Sequence, residues 1–471
     1  MQLPLLGLGL QGRSPNISAQ RRLNLYLEIS QDGDKSNITA SGTPGLELFT
    51  DLGSTPIRGM HGLGDWIYCC FRGSLYRINN AAIAESLGTL LSTTGQVGIA
   101  DNGTQVMVVD GTAGYTYTIA TGAFAQITGD FPNGATTVTF LDSYFIVDDP
   151  ANPGRFFVSA LSDGTSWNAL AYATAESNPD GLVRVMAEKS LLGLFGEFST
   201  EVWANTGALD FPFSRMQGGA VEWGLAARWS LCKFDDGLIW LARNRLGQVS
   251  VVAGSGAGGI QRVSTSDLDY QFSTYSAVAD ATGFSYMNSG HPFFQLNFPT
   301  ASRSWLYDGK TGAWSELQSY GLTRHRGQTQ TTFLDNIMVS DFDNGRIYKL
   351  LGSALTDNGD AIVRELISPH SFGPDDEQGF ISEIRLDMET GLGTATGQGS
   401  DPQVQLSISR DGGHSFGTER WTSAGKTGEY RHRARWRRCG RARDMVIKVR
   451  ITDPIPCNLI RASADYERGT S

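Results

Sequence analysis

The chain has 471 residues, 57 of them glycine, with 40% hydrophobic residues and a formal net charge of −10. The glycine follows no G-X-Y period and the apolar content is too high for disorder, so a collagen and an unfolded chain are both excluded. The acidic balance argues against a generic nucleic-acid binder, whose footprint is basic, and no apolar run approaches the roughly 18 residues of a membrane span.

Residues 1–56 open on "MQLPLLGLGLQGRSP", apolar but without a charged leading region or a small-residue cleavage site, so a signal peptide is not expected. This stretch has few regular strands and reads as an arm, with "TPGLELF" as an edge strand added to another domain. Asp32 to Thr43 begins like a calcium loop. It fails, because Asn37 stands where the sixth-position Gly is needed and Thr43 where the twelfth-position Glu is needed.

Residues 57–350 consist of short apolar runs broken by turn chemistry, as in "DWIYCCFRGSLYRIN", "TQVMVVDGTAGYTYTI" and "DGLIWLARNRLGQVSVVAG". Each pairs β-branched or aromatic residues with Gly, Asn or Asp at the turn, which is the hairpin signal. A weak repeat runs through them. Tyr117 to Ile127 aligns without a gap onto Tyr307 to Leu317, and a degenerate copy starting at Tyr76 places Ile83 at the offset of Phe124 and Trp314. At about 40–45 residues per four-stranded unit, the segment predicts a β-propeller of six or seven blades. A pair of β-sandwiches with coincidental hairpins is the competing reading. Gly254, Gly256 and Gly259 satisfy G-x-G-x-x-G, but no helical face follows to hold a pyrophosphate, so a loop between strands is expected.

Residues 351–379 read as a linker, and 380–471 alternate well enough to predict an all-β, antiparallel sandwich-like platform. Within it, Ser409, Asp411, Gly413, Ser415 and Phe416 match the Asp box, a hairpin signature that recurs in sialidases. Its side chains satisfy turn N–H groups while the aromatic packs beneath, so it is expected to stabilise a turn. The arginine triad and catalytic Tyr of a sialidase are not announced anywhere.

The stretch from Arg431 to Arg450 holds eight Arg and one Lys against one Asp, leaving 29 basic and 47 acidic residues elsewhere. Arg431, Arg433, Arg435 and Arg437 fall at period two, which on a strand lines one face with guanidinium groups, and Arg438, Arg441 and Arg443 extend the set. Such a ladder repels itself unless carboxylates or phosphates face it. DNA phosphates, an acidic neighbouring subunit, and the chain's own "PDDEQ" or "RLDMET" are the candidate partners.

Five cysteines without a C-x-x-C pair indicate neither a disulfide framework nor a zinc site, and fit a reducing cytosol. None of the six histidines has metal-ligand spacing and no G-x-S-x-G occurs, so no catalytic, cofactor or metal residue is nominated.

Several segments in order, "QRRLNLYLE", "TPGLELF", "AESNPDGLVRVM", "TEVWANTG", "SWLYDGKTGAWSEL" and "RARWRRCGRARDMVIKVRITDP", make the chain resemble the tail hub, or packaged-DNA stabilisation, proteins of short-tailed bacteriophages. The resemblance implies a propeller plus a β-rich platform, six copies forming a ring with an axial DNA channel, and docking on the adaptor ring below the portal. A needle or fibre would plug the distal end and spikes attach laterally. It implies a structural virion protein of the tail that retains packaged double-stranded DNA, without catalytic residues, assembled in the host cytoplasm. A glycan-binding or glycan-cleaving propeller of a phage tail is the alternative.

Overall fold

Short strands that end at glycine or left-handed Asp, Asn and Ser turns fold locally into antiparallel meanders. In the computed structural model, which describes residues 2–30, 36–175, 178, 180–255, 259–372 and 378–468, seven such meanders succeed one another along the chain. They cover residues 57–89, 98–126, 138–174, 182–221, 224–262, 282–316 and 327–351, and the first strands of neighbouring sheets lie side by side around an axis. The expected β-propeller is present, with seven blades.

A sheet that buries only one face cannot close this ring; each blade must be apolar on both. The strand Trp66–Phe71 shows how period two achieves this. Cys70 and Tyr68 pack with Val106, Val108 and Tyr115 of the second blade, whereas Cys69 and Ile67 pack with Met338 and Ile347 of the seventh. Comparable clusters fill every other inter-blade space. Fully burying each large apolar side chain stabilises the fold by about 1.5–3 kcal/mol. All five cysteines are buried free thiols, and burial pushes Cys70 and Cys232 up to about 12.

The internal repeat is the outer hairpin of a blade. Tyr117 pairs Phe124 in the second blade as Tyr307 pairs Trp314 in the sixth. In both loops glycine sits at φ +70°, at Gly122 and Gly312, and its N–H donates to the carbonyl four residues earlier, at 2.9 and 2.8 Å.

The N-terminal arm closes the ring. Gly45–Asp51 pairs antiparallel with Arg346–Leu351, so the fourth strand of the seventh blade comes from the opposite end of the propeller sequence. The expected edge strand "TPGLELF" is this one. Upstream, Arg21–Leu23 pairs with Trp314–Glu316 of the sixth blade and with Arg364–Ile367 of the second domain, which fuses blade and platform into one ten-stranded sheet.

The second domain is a sandwich of that sheet's far end, Arg364–Ile367, Asp444–Ile451, Gln403–Ser409 and Arg420–Ser423, against a second sheet. The second sheet runs in the order Leu25–Ile29, Ile38–Gly42, Asn458–Arg468, Gly379–Met388 and Ala434–Ala442, with Gln2–Leu3 also paired to Asn458–Arg468. Leu3, Leu5, Leu25, Leu27, Trp436 and Val449 lie in its core. Residues 351–379, read as a linker, contribute Thr356–Asp357 and Asp360–Ala361 to the seventh-blade sheet and Arg364–Ile367 to the sandwich. Residues 1–56 likewise supply strands to both domains.

Candidate subunit and nucleic-acid contact surface

The Arg-rich segment forms the edge strand Ala434–Ala442, paired on one side with Gly379–Met388. Alternation turns Ala434 and Trp436 into the core and Arg435 and Arg437 outward. The uninterrupted ladder expected from Arg431 to Arg437 is only partly realised. Arg431 lies in a turn before the strand, and Arg433 precedes it by one residue.

The spacing also changes beyond Arg437. Glu383 faces Arg437 but Ile381 faces Gly440, so the edge strand carries one extra residue, with Arg438 at φ +58°. This β-bulge turns Arg438 outward beside Arg437 and returns Cys439 to the core. Arg410 and Arg420 hold the bulge by donating to the carbonyls of Cys439 and Arg437. Arg441 and Arg443 follow as exposed side chains.

Across the outer face the charges form rows. Asp465, Glu383 and Arg437 share one register, Ser463, Arg385 and Arg435 the next, and Arg461, Asp387 and Arg433 stand together in the third. Arg433 Nε lies 2.5 Å from Asp387 Oδ1 and Arg461 Nε 2.7 Å from Asp387 Oδ2. Arg437 reaches Glu383 at 3.2 Å, and Arg385 bridges Glu383 and Asp465. Arg385, then Arg437 and Arg435, hold the Glu383 carboxyl below its usual range. Burial would raise Asp387, but Arg461 and Arg433 together outweigh it and lower its pKa.

The "RLDMET" pairing anticipated from the sequence therefore exists, through Asp387. It uses only part of the ladder. Arg431, Arg435, Arg438, Arg441 and Arg443 have no ion pair among the described residues, and Arg435 stands directly opposite Arg385. Residues 374–377 of "PDDEQ" lie outside the described residues. Arg385, Arg461, Glu383 and Asp465, which the Arg-run reading missed, come from two other strands. The alternation in "SEIRLDME" already puts Glu383, Arg385 and Asp387 on one face.

The Asp box spends its polar groups on itself. Ser409 Oγ accepts from Gly413 N at 2.9 Å and donates to Asp411 Oδ1 at 2.7 Å, while Ser415 donates to Asp411 from N at 3.0 Å and from Oγ at 2.5 Å. These bonds hold the Asp411 carboxyl far below the usual range, Ser415 contributing most. Gly412 and Gly413 take positive φ, and Phe416 is half-buried under the Lys448 ammonium. The turn also seats the N-terminal arm, with Asn16 against Gly412 and Pro15 and Ala19 against Gly413.

The other motifs carry no site. Val249–Ser255 pairs antiparallel with Gly259–Arg262, so Gly254 and Gly259 flank a hairpin rather than open a helix, and Gly256 lies outside the described residues. Asp32 and Asp34 of the calcium-like loop also lie outside them. Among the described residues no group of three His, Cys, Asp or Glu could hold a metal ion, and no helix is long and apolar enough to cross a membrane. The propeller axis holds a cavity of about 280 Å³ walled by the inner strands of all seven blades. A duplex whose major groove alone is about 12 Å wide does not pass through it.

Comparison with known families fits this two-domain layout. The family described as "Bacteriophage P22 Gp10, beta-propeller" matches residues 1–354, and "Bacteriophage P22 Gp10, beta-sandwich" matches residues 365–467.

The chain belongs to the P22 Gp10 family.

A curated relative, the tail hub protein gp10 of Salmonella phage P22, is 23% identical over 337 residues, 68% of this chain. The match spans 65% of that relative's length. Among solved structures, a chain of the mitotic checkpoint complex aligns at 10% identity and a TM-score of 0.40, covering 62% of this chain and 89% of that one. The computationally designed Ika8 protein aligns at 13% identity and 0.39, covering 70% and 99%. At these scores neither likeness bears on function. The Gp10-family assignment rests on the two ordered domain matches, and the strands that join blade six to the sandwich lie within them or between them.

Proposed function

We propose that this chain is a structural protein of a bacteriophage tail, a hub or nozzle whose copies form a ring around a DNA channel and attach below the portal and its adaptor. The observation that carries this reading is the family match in order over both domains, residues 1–354 and 365–467. The tail-hub name of the P22 relative supports it. In this reading the channel runs between protomers, because the axial cavity of one propeller is far too small for a duplex. Retention of packaged DNA, contact with a distal needle or fibre and with lateral spikes, and assembly in the host cytoplasm follow from the same role. No catalysis is part of it.

In the proposed ring, the exposed edge strand Ala434–Ala442 meets an acidic surface of the next protomer or of the adaptor. Arg435, Arg438, Arg441 and Arg443, with Arg431 beside them, supply the guanidinium groups that form bidentate pairs there. A net charge of −10 on each copy keeps phosphates from sticking along the channel. Virions purified from the phage that encodes this chain test the reading. Negative-stain images should show a sixfold ring with a central hole at the tail, containing this chain by mass spectrometry. A chain absent from the virion overturns it.

A further inference from the structure

The cavity on the propeller axis has a wall unlike the rest of the molecule. Arg58 of the first blade, Arg184 of the fourth and Lys233 of the fifth line it, and no Asp or Glu does among the described residues. The whole chain holds 48 acidic against 38 basic residues, so a carboxylate-free cationic wall runs against its composition.

The three cations are not equivalent. Arg58 is saturated: Nε donates to Gly95 O, Nη1 to the carbonyls of Arg72 and Ser92, and Nη2 to Ser92 Oγ and Thr94 O. Asp110, reached through Ser92, offsets part of its charge, and it has no free donor. Arg184 is held differently. Its Nη1 donates to the carbonyls of Arg228 and Leu231 at 3.0 and 3.1 Å, and the guanidinium lies 5.3 Å from the Trp229 ring centroid. These anchors fix the side chain without neutralising it, and Nε and Nη2 remain as donors.

The neighbours do not supply a countercharge either. Arg228 donates to the Val183 carbonyl at 3.0 Å, and Cys232 is a neutral buried thiol. Lys233, the middle residue of the fifth blade's strand Cys232–Phe234, is exposed, with Ser285 donating to its carbonyl. Gln328 accepts from Arg324 through Oε1 at 2.6 Å, which leaves its amide N–H groups as donors on the same wall. A confined set of donors around an uncompensated guanidinium is what a multivalent anion requires.

We propose that the axial cavity binds a small multivalent oxyanion, of the phosphate or polycarboxylate class, with Arg184 and Lys233 as its charged contacts. A volume of about 280 Å³ is near the lower end of small-molecule sites, which run from about 300 Å³ upward. It admits such an ion and excludes a duplex. The site does not depend on the ring proposed above, since one chain contains all of it.

The test is calorimetric titration of the full chain at low ionic strength with inorganic phosphate, tripolyphosphate and citrate. Arg184→Gln and Lys233→Gln are compared with Lys426→Gln, a control at an exposed lysine of the sandwich. Saturable binding is expected for at least one anion, and the arm that binds tighter assigns the source. Each cavity substitution should weaken it about tenfold, the worth of one charge-assisted hydrogen bond, and Lys426→Gln should leave it unchanged. Lys233 is exposed, so its variant keeps the test decisive if Arg184→Gln does not fold. No saturable binding, an affinity unchanged by Lys233→Gln, or binding weakened equally by Lys426→Gln overturns the proposal.

Discussion

Arg21 Nε donates to Glu316 Oε2 at 2.6 Å, joining the N-terminal arm to the sixth blade. The same guanidinium reaches Glu365 of the sandwich at 2.9 Å. Arg303 also holds Glu316, and Arg450 links Glu365 to Glu419. The Glu316 and Glu365 side chains are only 6% and 4% exposed, so these charges are committed to one another. Burial alone would lower the Arg21 pKa, but the two carboxylates outweigh it and raise it. A buried network of this kind fixes the angle between propeller and sandwich.

Removing Glu365 from this clasp should cost more than removing Arg21. Glu365→Ala takes one hydrogen bond from Arg21 and two from Arg450, leaving them only Glu316 and Glu419, and a loss of about 3 kcal/mol is expected, the low end for breaking a buried pair. In Arg21→Met, Glu316 keeps Arg303 and Glu365 keeps Arg450, so a loss of about 1–2 kcal/mol is expected, closer to an exposed pair. Urea unfolding of the two variants gives the order directly. Equal losses would mean that the clasp does not act as a shared network.

Ring closure should depend on Gly62. A Cβ there would stand 2.1 Å from the Thr332 carbonyl oxygen of the seventh blade, and Gly62 N already donates to Thr331 Oγ1 at 2.7 Å. Gly62→Ala must push blades one and seven apart, at a cost of about 1–3 kcal/mol for overpacking. Gly64, with open space around it at φ +55°, is the comparison. Gly64→Ala should cost only about 1–2 kcal/mol, through its left-handed backbone, and leave the blade contact intact. Hydrogen exchange along residues 57–63 and 327–333 separates the two effects.

The sixth and seventh blades carry an acid-sensitive joint at His325. Burial, with help from Arg326 and Arg324, lowers its pKa to about 3, and Nδ1 accepts hydrogen bonds from Gly327 N and Gln295 Nε2 at 3.0 Å each. The native pKa lies below the unfolded one, so the unfolded chain binds the extra proton. Stability is therefore full above about pH 6.5 and falls as the pH drops towards 3, by about 1.4 kcal/mol per unit from this group. His325→Asn keeps an acceptor but cannot take up that proton. Between pH 7 and 5 it should lose less stability than the parent chain in urea titrations, even if it is weaker at pH 7.

The Arg-rich edge separates into two classes of substitution. Arg433→Glu faces Asp387, which already holds Arg461, and should destabilise the sandwich itself. Arg435→Glu and Arg441→Glu reverse charges that have no ion pair among the described residues, and Arg435→Glu exchanges repulsion from Arg385 for repulsion from Glu383. Both should leave the melting temperature of the single chain within a few degrees while abolishing ring formation. Sedimentation velocity alongside thermal unfolding distinguishes these outcomes, and rings formed by the double variant would remove the edge strand from the proposed joint.

Local chemistry was readable wherever neighbours in sequence are neighbours in space. The Tyr117 and Tyr307 repeats could be aligned because each is one hairpin, and the same glycine closes each loop. The Asp box could be read as a turn for the same reason, since Ser409, Asp411, Gly413 and Ser415 bond within one loop. Period two carried the face of Arg435 and Arg437 but not the bulge at Arg438, which depends on Ile381 and Glu383 about fifty residues away in the chain.

The amino-acid sequence by itself determined an all-β chain of glycine-turned hairpins with a basic strand near its end, because turn residues and alternation act over a few residues. Only the tertiary structure decided that Gly45–Asp51 completes the seventh blade, that Arg21 ties blade to sandwich, and that Arg184 and Lys233 face one cavity. Those relationships join residues tens to hundreds of positions apart, where no local preference acts and only packing of the whole ring selects the partner.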